Sequence, residues 1–437
     1  MHKGNFRIIT VFFLLLCVVQ AHSQRPFRTY YDQDRTLLKE EFGTVYTDTI
    51  IPHGAYQMFS QTGKVIVKGN FEQGLKQGKF LNFYEDGTIQ RETRYERGLR
   101  QGTTKVFYPD GRLQQEATFK NDTLFGEVKT YHPDGRIKGL SSFSNGLPEG
   151  TVVAYYDTGH KKEEVTYANG KPNGLTRQYY QDGTLQLEAE YVAGLLNGYY
   201  KTYYPSGKLE MEVFNERGQR MGHVKRYYEN GQLKSSGNYQ DGELEGEFLV
   251  YFDDGSPKSV YQYKYGRKHG INQDFHPNGQ LSKEANFSLN GLNADIKNFY
   301  ESGKLASETF MVDEMKSKTW TYYNEKGKVT STAQYRAGKL QGERLLYEGK
   351  KIVQRENYER GMKQGTWTSY HPNGKAKEVS NWKLDRLEGL FTLYYKNGKK
   401  QYEGNYLNNK RTGDWVYYDE KGKVTEQKKY QAGKEVN

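Results

Sequence analysis

Polar and apolar residues alternate along this chain in short runs, and the runs return at a fixed interval. In one run Leu113, Ala117 and Phe119 share a parity, while Gln114, Glu116 and Thr118 fall between them. A period of two puts the first set on one face of a strand and the second on the other. Upstream lies an aromatic pair, Phe107 and Tyr108, followed by Pro109, Asp110 and Gly111. Proline presets φ, aspartate fits the second corner, and glycine takes the left-handed position that follows. This chemistry predicts a type I turn with a glycine bulge joining two strands. The same cassette returns as Tyr203 to Leu209 and as Tyr227 to Leu233. Its turn glycine falls at Gly63, Gly87, Gly111, Gly135, Gly159, Gly183, Gly207, Gly231, Gly255, Gly279, Gly303 and Gly327, a step of 24 residues held through twelve copies. The interval then slips, to Gly349, Gly374, Gly398 and Gly422.

With the turn glycine as position zero, other places in the repeat are also fixed. Aromatic pairs sit at −4 and −3, as in Phe83 and Tyr84 or Tyr179 and Tyr180. Position +2 is usually aliphatic, +5 is often glutamate (Glu92, Glu116, Glu164, Glu188, Glu212) and +8 is aromatic (Tyr95, Phe119, Tyr167, Tyr191). Glycines at +11 and +15, such as Gly98 and Gly102, bracket a second short reversal. Both connections are short, so neighbouring strands must be antiparallel; a parallel β-helix ranks second. Helix is excluded, because glycine costs about 1 kcal/mol against alanine in a helix interior and returns three times per repeat. The fold expected is all-β: an elongated twisted antiparallel sheet of about sixteen tandem β-hairpin repeats of 24 residues. Two strands per repeat would give roughly 32 strands at about 4.8 Å spacing.

The ends depart from the pattern. Residues 24–53 read as a degenerate N-terminal capping unit, with Arg35 in the place of the turn glycine and an insertion around Thr47 to Pro52. Residues 54–437 form the array proper, and no separate C-terminal module is expected. Trp320, Trp367 and Trp415 each precede their turn glycine by seven, in a slot filled elsewhere by Phe80, Tyr200 or Phe248.

Composition refines this picture. Hydrophobic residues make up only 35%, but the chain has 39 Tyr and 21 Phe, which suits a thin structure with few fully buried positions. Residues 1–23 read as a signal peptide: Lys3 and Arg7 precede an apolar core from Ile8 to Val19, and Ala21 and Ser23 place cleavage before Gln24. The only cysteine, Cys17, lies in that core behind Leu16, which departs from a lipoprotein pattern, so the mature chain has no thiol. Loss of Lys3 and Arg7 takes the formal net charge from +11 to +9. The charges are interspersed and match no nucleic-acid motif, so no nucleic-acid partner is expected.

The cycle from Gly194 and Gly198 through Tyr203 and Tyr204, Gly207 and Leu209 to Glu212 resembles the bacterial MORN-variant repeat, including its antitoxin-like members. The resemblance spans essentially all of Gln24 to Asn437. It implies side-by-side antiparallel hairpins and non-catalytic roles in scaffolding or phospholipid contact. An export signal fits poorly with a cytoplasmic antitoxin, so that label is not carried over. Asp122 departs from the pattern at one loop glycine. Asn290 with Ala294, and Glu314 with Lys318, replace both loop glycines in two successive units.

Candidate sites follow from the aromatic pairs. Adjacent strand residues face opposite ways, so one member of each pair lines the less covered face. Tyr156, Tyr180, Tyr204 and Tyr228 form a candidate binding ladder, with packing against neighbouring strands as the structural alternative. Gly87, Gly111, Gly135, Gly159, Gly183, Gly207 and Gly231 are structural turns. The +5 glutamates recur on every hairpin, which suits ion pairing and not a catalytic dyad. His132, His276 and His371 are too far apart to ligate a metal, so no catalytic residue, cofactor or metal is expected. The function expected is a non-enzymatic scaffold for protein–protein interaction in the bacterial cell envelope. The chain would be exported to the periplasm, the outer membrane or the medium. Glycan or cell-wall binding through the ladder, and lipid-surface association, are the alternatives. Open sheet ends allow an edge-to-edge dimer.

Overall fold

The computed structural model describes residues 25–46, 49–288 and 291–436. The expected signal peptide, part of the insertion after Tyr46, and Asn290 lie outside the described residues. The described residues form 42 strands and no helix. They fall into two compact units, one holding the residues up to Thr184 with Tyr191–Gly194, the other Leu185–Glu190 and Leu195 onward. Within each unit the pairing is antiparallel and follows chain order, as Gly102–Phe107 pairs with Leu113–Lys120 and Gln219–Tyr227 with Leu233–Gln240, while Leu75–Lys76 and Gly78–Phe83 both pair with Val65–Glu72. The all-β antiparallel array of tandem hairpins is therefore what the chain forms.

The turn at position zero follows its residue types. The seven turn glycines from Gly87 to Gly231 adopt φ between +80° and +92°. In one of these turns the Gly111 amide donates to Tyr108 O and the Tyr108 amide to Arg112 O. Arg35 takes the same left-handed conformation, at φ 59°, in the first unit.

The second reversal differs from its expected form. Position +10, before the first loop glycine, is also left-handed: Arg97 at φ 47°, Asn169 at 50° and Ala193 at 51°. Two consecutive positive φ values define a two-residue type I′ hairpin. The +15 glycine, such as Gly78 at φ 76°, then bulges the returning strand. It separates the two-residue strand Leu75–Lys76 from Gly78–Phe83. Such breaks account for much of the excess over the roughly 32 strands expected. Where the loop glycine is missing, Asp122, Glu314 and Lys318 accept φ of 65°, 61° and 58°, so the turn survives. Ala294 instead lies buried in the strand Ala294–Phe299.

The core is one layer of side chains on one sheet face. Position +6 is small and buried: Thr93, Ala117, Ala189, Ala285, Ala333 and Ser380. The −7 aromatic lies across it. Phe80 covers Gly69, Phe248 covers Gly237 and Trp415 covers Gly404, each so closely that a Cβ on the glycine would overlap the ring. The +8 rings flank this column edge-on, Phe80 standing 5.6 Å from Phe71 and 5.2 Å from Tyr95.

Candidate functional site

The aromatic pairs join one repeat to the next. At −3, the Tyr84 hydroxyl donates to Phe107 O at 2.8 Å and that of Tyr108 to Tyr131 O at 2.8 Å. Three expected ladder residues do the same: Tyr156 to Tyr179 O (2.9 Å), Tyr204 to Tyr227 O (2.8 Å) and Tyr228 to Tyr251 O (2.8 Å). All four ladder residues, including Tyr180, are half-buried. Histidine substitutes in kind. Nε2 of His132, His276 and His371 stands 3.3, 3.0 and 2.9 Å from the carbonyls of Tyr155, Phe299 and Tyr394. A carbonyl only accepts, so Nε2 carries the proton in each contact.

The −4 tyrosines serve the opposite face. Their hydroxyls donate to the +5 glutamate of the preceding repeat, as Tyr323 does to Glu308 and Tyr418 to Glu403, both at 2.9 Å. Those glutamates also meet lysines: Glu92 with Lys79 at 2.7 Å and Glu116 with Lys105 at 3.5 Å. Burial raises the hydroxyls of Tyr227, Tyr323 and Tyr418 above the usual phenol range, and the adjacent glutamates push them further.

The loop edge carries two columns that the sequence reading passed over. Side chains at +14 accept the +10 amide of the following repeat: Gln77 from Arg97 at 2.9 Å, Glu149 from Asn169 at 2.8 Å, Glu245 from Tyr265 at 2.8 Å. Beside them the +11 amide donates to the carbonyl at +13 of the preceding repeat, as Gly98 does to Lys76 O at 2.8 Å. At +13 a cation often stands over the aromatic column: Lys316 Nζ is 4.6 Å from the Trp320 ring centroid and Arg411 Cζ 4.3 Å from that of Trp415; Lys363, at +14 of an irregular repeat, stands 4.3 Å from that of Trp367. Both columns step by one repeat, so aligning the repeats would have exposed them.

Exposed apolar side chains mark the same edge of the first unit. At +12, Leu75, Leu99 and Leu147 are 50%, 43% and 51% exposed. Each lies against a loop glycine of a following repeat where one is present, as Leu75 does against Gly98 and Leu147 against Gly170. In the second unit the column is mixed: Leu195 and Met315 are 53% and 44% exposed, while Gln219, Glu243, Arg267, Arg386 and Lys410 are polar.

A family model described as MORN repeat variant matches fourteen segments: residues 52–73, 76–97, 100–121, 126–145, 148–169, 172–193, 196–214, 222–241, 244–265, 268–288, 292–313, 363–383, 387–408 and 411–432. No curated protein matches the chain. Among solved structures it is similar to a crystal structure of TcdB2-TccC3-Cdc42, at 10% identity and a TM-score of 0.12, over 92% of this chain and 27% of that one. It is also similar to TcdB2-TccC3, at 10% identity and 0.11, over 92% and 27%. A Photorhabdus luminescens Tc holotoxin pore gives 11% identity and 0.13, over 90% and 26%. The chain thus spans about a quarter of the length of those structures' chains.

Proposed function

Because the chain belongs to the MORN repeat variant family, whose tandem repeats are scaffolds that commonly mediate protein or membrane interaction, we propose that it is an exported scaffold for a protein partner in the bacterial cell envelope. The observation that carries this reading is the apolar stripe of Leu75, Leu99 and Leu147. Exposed leucines along one edge, broken at Thr123, suit a protein surface, because burying them against a partner is favourable. The tyrosine ladder supports a glycan less well. The hydroxyls of Tyr156, Tyr204 and Tyr228 are spent on backbone carbonyls, leaving only ring faces.

Photo-crosslinkers at positions 99 and 147, and a control at Glu229 on a turn, test the reading in intact cells. The expected result is one discrete adduct from both loop-edge positions, none from the control, and a mature chain starting at Gln24. Adducts absent from both positions, or a chain retained with its first 23 residues, would contradict it.

A further inference from the structure

In most late repeats an aromatic at −7 roofs the core, but Thr104 holds that place after Phe80. The face is left open there, as a groove of about 460 Å³ across the four strands Gly78–Phe83, Ile89–Glu96, Gly102–Phe107 and Leu113–Lys120. Ligand clefts usually run from about 300 to 1,000 Å³. The register lays Asn82, Arg91, Val106 and Gln115 in one row across its floor. Neighbouring strands stand about 4.8 Å apart, so that row spans roughly 14 Å. Thr93 is buried beside it, and Thr104 Oγ1 is buried with no hydrogen-bond partner.

The lining includes no carboxylate, although glutamates are frequent in these strands. Glu92 and Glu116 turn to the other face, where lysines hold them. Three cations do line the groove. Arg100 is committed, bonded to Asp122 at 3.0 Å with its guanidinium 4.0 Å from the Phe119 ring centroid. Lys76 is fixed over two rings, 5.1 Å from Phe80 and 5.0 Å from Tyr95. Among the described residues neither Lys76 nor Arg91 has an ion-pair partner. Arg91 and Tyr95 are four residues apart on one strand, their backbones on the order of 13 Å apart, and Lys76 sits over the Tyr95 ring.

We propose that this groove binds an acidic saccharide, a hydroxyl-rich chain carrying one carboxylate per sugar. Two separated cations suit two separated single charges, whereas one phosphate dianion would draw its cations together. Amides and hydroxyls along the floor both donate and accept, as sugar hydroxyls do. An apolar peptide would bury those groups unpaired, at a cost of about 1–3 kcal/mol each. The inference stands apart from the protein-scaffold reading, and its test uses no protein partner.

The experiment titrates the full chain with tetragalacturonate by calorimetry at low salt, with neutral cellotetraose as the comparison. Saturable binding to the acidic sugar alone is expected, weakened by added salt. The double variant Lys76→Gln, Arg91→Gln should weaken it at least tenfold. Thr104→Phe should abolish it, by installing the ring that Phe80 and Phe248 supply in their repeats. Circular dichroism checks that both variants fold; if Thr104→Phe does not, the charge variant decides. The inference is overturned by no saturable binding, by equal binding of cellotetraose, or by binding unchanged in the charge variant or in folded Thr104→Phe. Stronger competition by glucose 6-phosphate or an oligonucleotide than by glucuronate would also overturn it.

Discussion

Thr104 and Trp415 occupy the same place in their repeats, seven residues before the turn glycine, on backbones with the same turns and register. Around Trp415 the face is closed: its ring is fully buried, 5.2 Å from Tyr406 and 6.0 Å from Tyr430, with Arg411 above it. Around Thr104 the face is open and polar. A third solution lies between Met315 and Glu359, all of it outside the matched repeats. There Arg344 replaces the aromatic and meets buried Glu356 at 3.1 Å, while Gln354 and Tyr358 supply two further hydrogen bonds to that carboxylate. Three opposite cores share one hairpin geometry. The backbone path is therefore set at the edges, by turn glycines and bonds between repeats, and the −7 residue is free to vary.

That comparison can be broken at several points. The largest effect expected is for Trp415→Ala, which removes a fully buried ring and should cost about 3–5 kcal/mol in its own hairpins. Thr104→Ala should cost under about 1 kcal/mol, since it opens no core. Urea denaturation followed by tryptophan and far-UV signals checks both, and equal costs would refute the contrast. Next, Gly404→Ala should lose about 1–3 kcal/mol, because its Cβ would stand 2.3 Å from the Trp415 ring.

The hairpin array was legible in the sequence because glycine placement is a local requirement: a left-handed corner needs a residue without a Cβ, and the turns at Gly111 and Gly207 display it directly. The core row was half legible. Alternation marked +6 and +8 as one face, but Phe80 packs across repeats onto Gly69, a contact no single repeat reveals. The ladder tyrosines were named from the aromatic pair, but the destination of their hydroxyls depends on a carbonyl 23 residues away that becomes adjacent only once strands align. The caps at +14 and the type I′ conformation at +10 were missed because residues such as Ala193 carry no local sign of positive φ. Asn173 of the preceding repeat, whose side chain accepts the Ala193 amide at 3.0 Å, supplies the reason.

Smaller effects sharpen the account. Glu356→Leu alone strands Arg344 and should cost about 1–3 kcal/mol, while Glu356→Leu with Arg344→Met should recover most of it, as measured by a double-mutant cycle. Tyr204→Phe removes one bond between repeats and should cost about 0.5–1.5 kcal/mol. Alkaline titration is gentler still. The half-buried −4 phenols lie above their unfolded value of about 10, so their contribution to stability is complete below that pH and is lost as pH rises through their folded values. Tyrosinate absorbance should therefore lag behind that of free tyrosine until the chain unfolds.

The most direct measurement is amide hydrogen exchange at the loop edge, resolved by mass spectrometry. If repeats are zipped there, the amides of Arg97, Gly98, Asn169 and Gly170 should exchange as slowly as those of the adjoining strands. Exchange at the rate of free surface loops would show that the edges do not hold the array, and the account would fail.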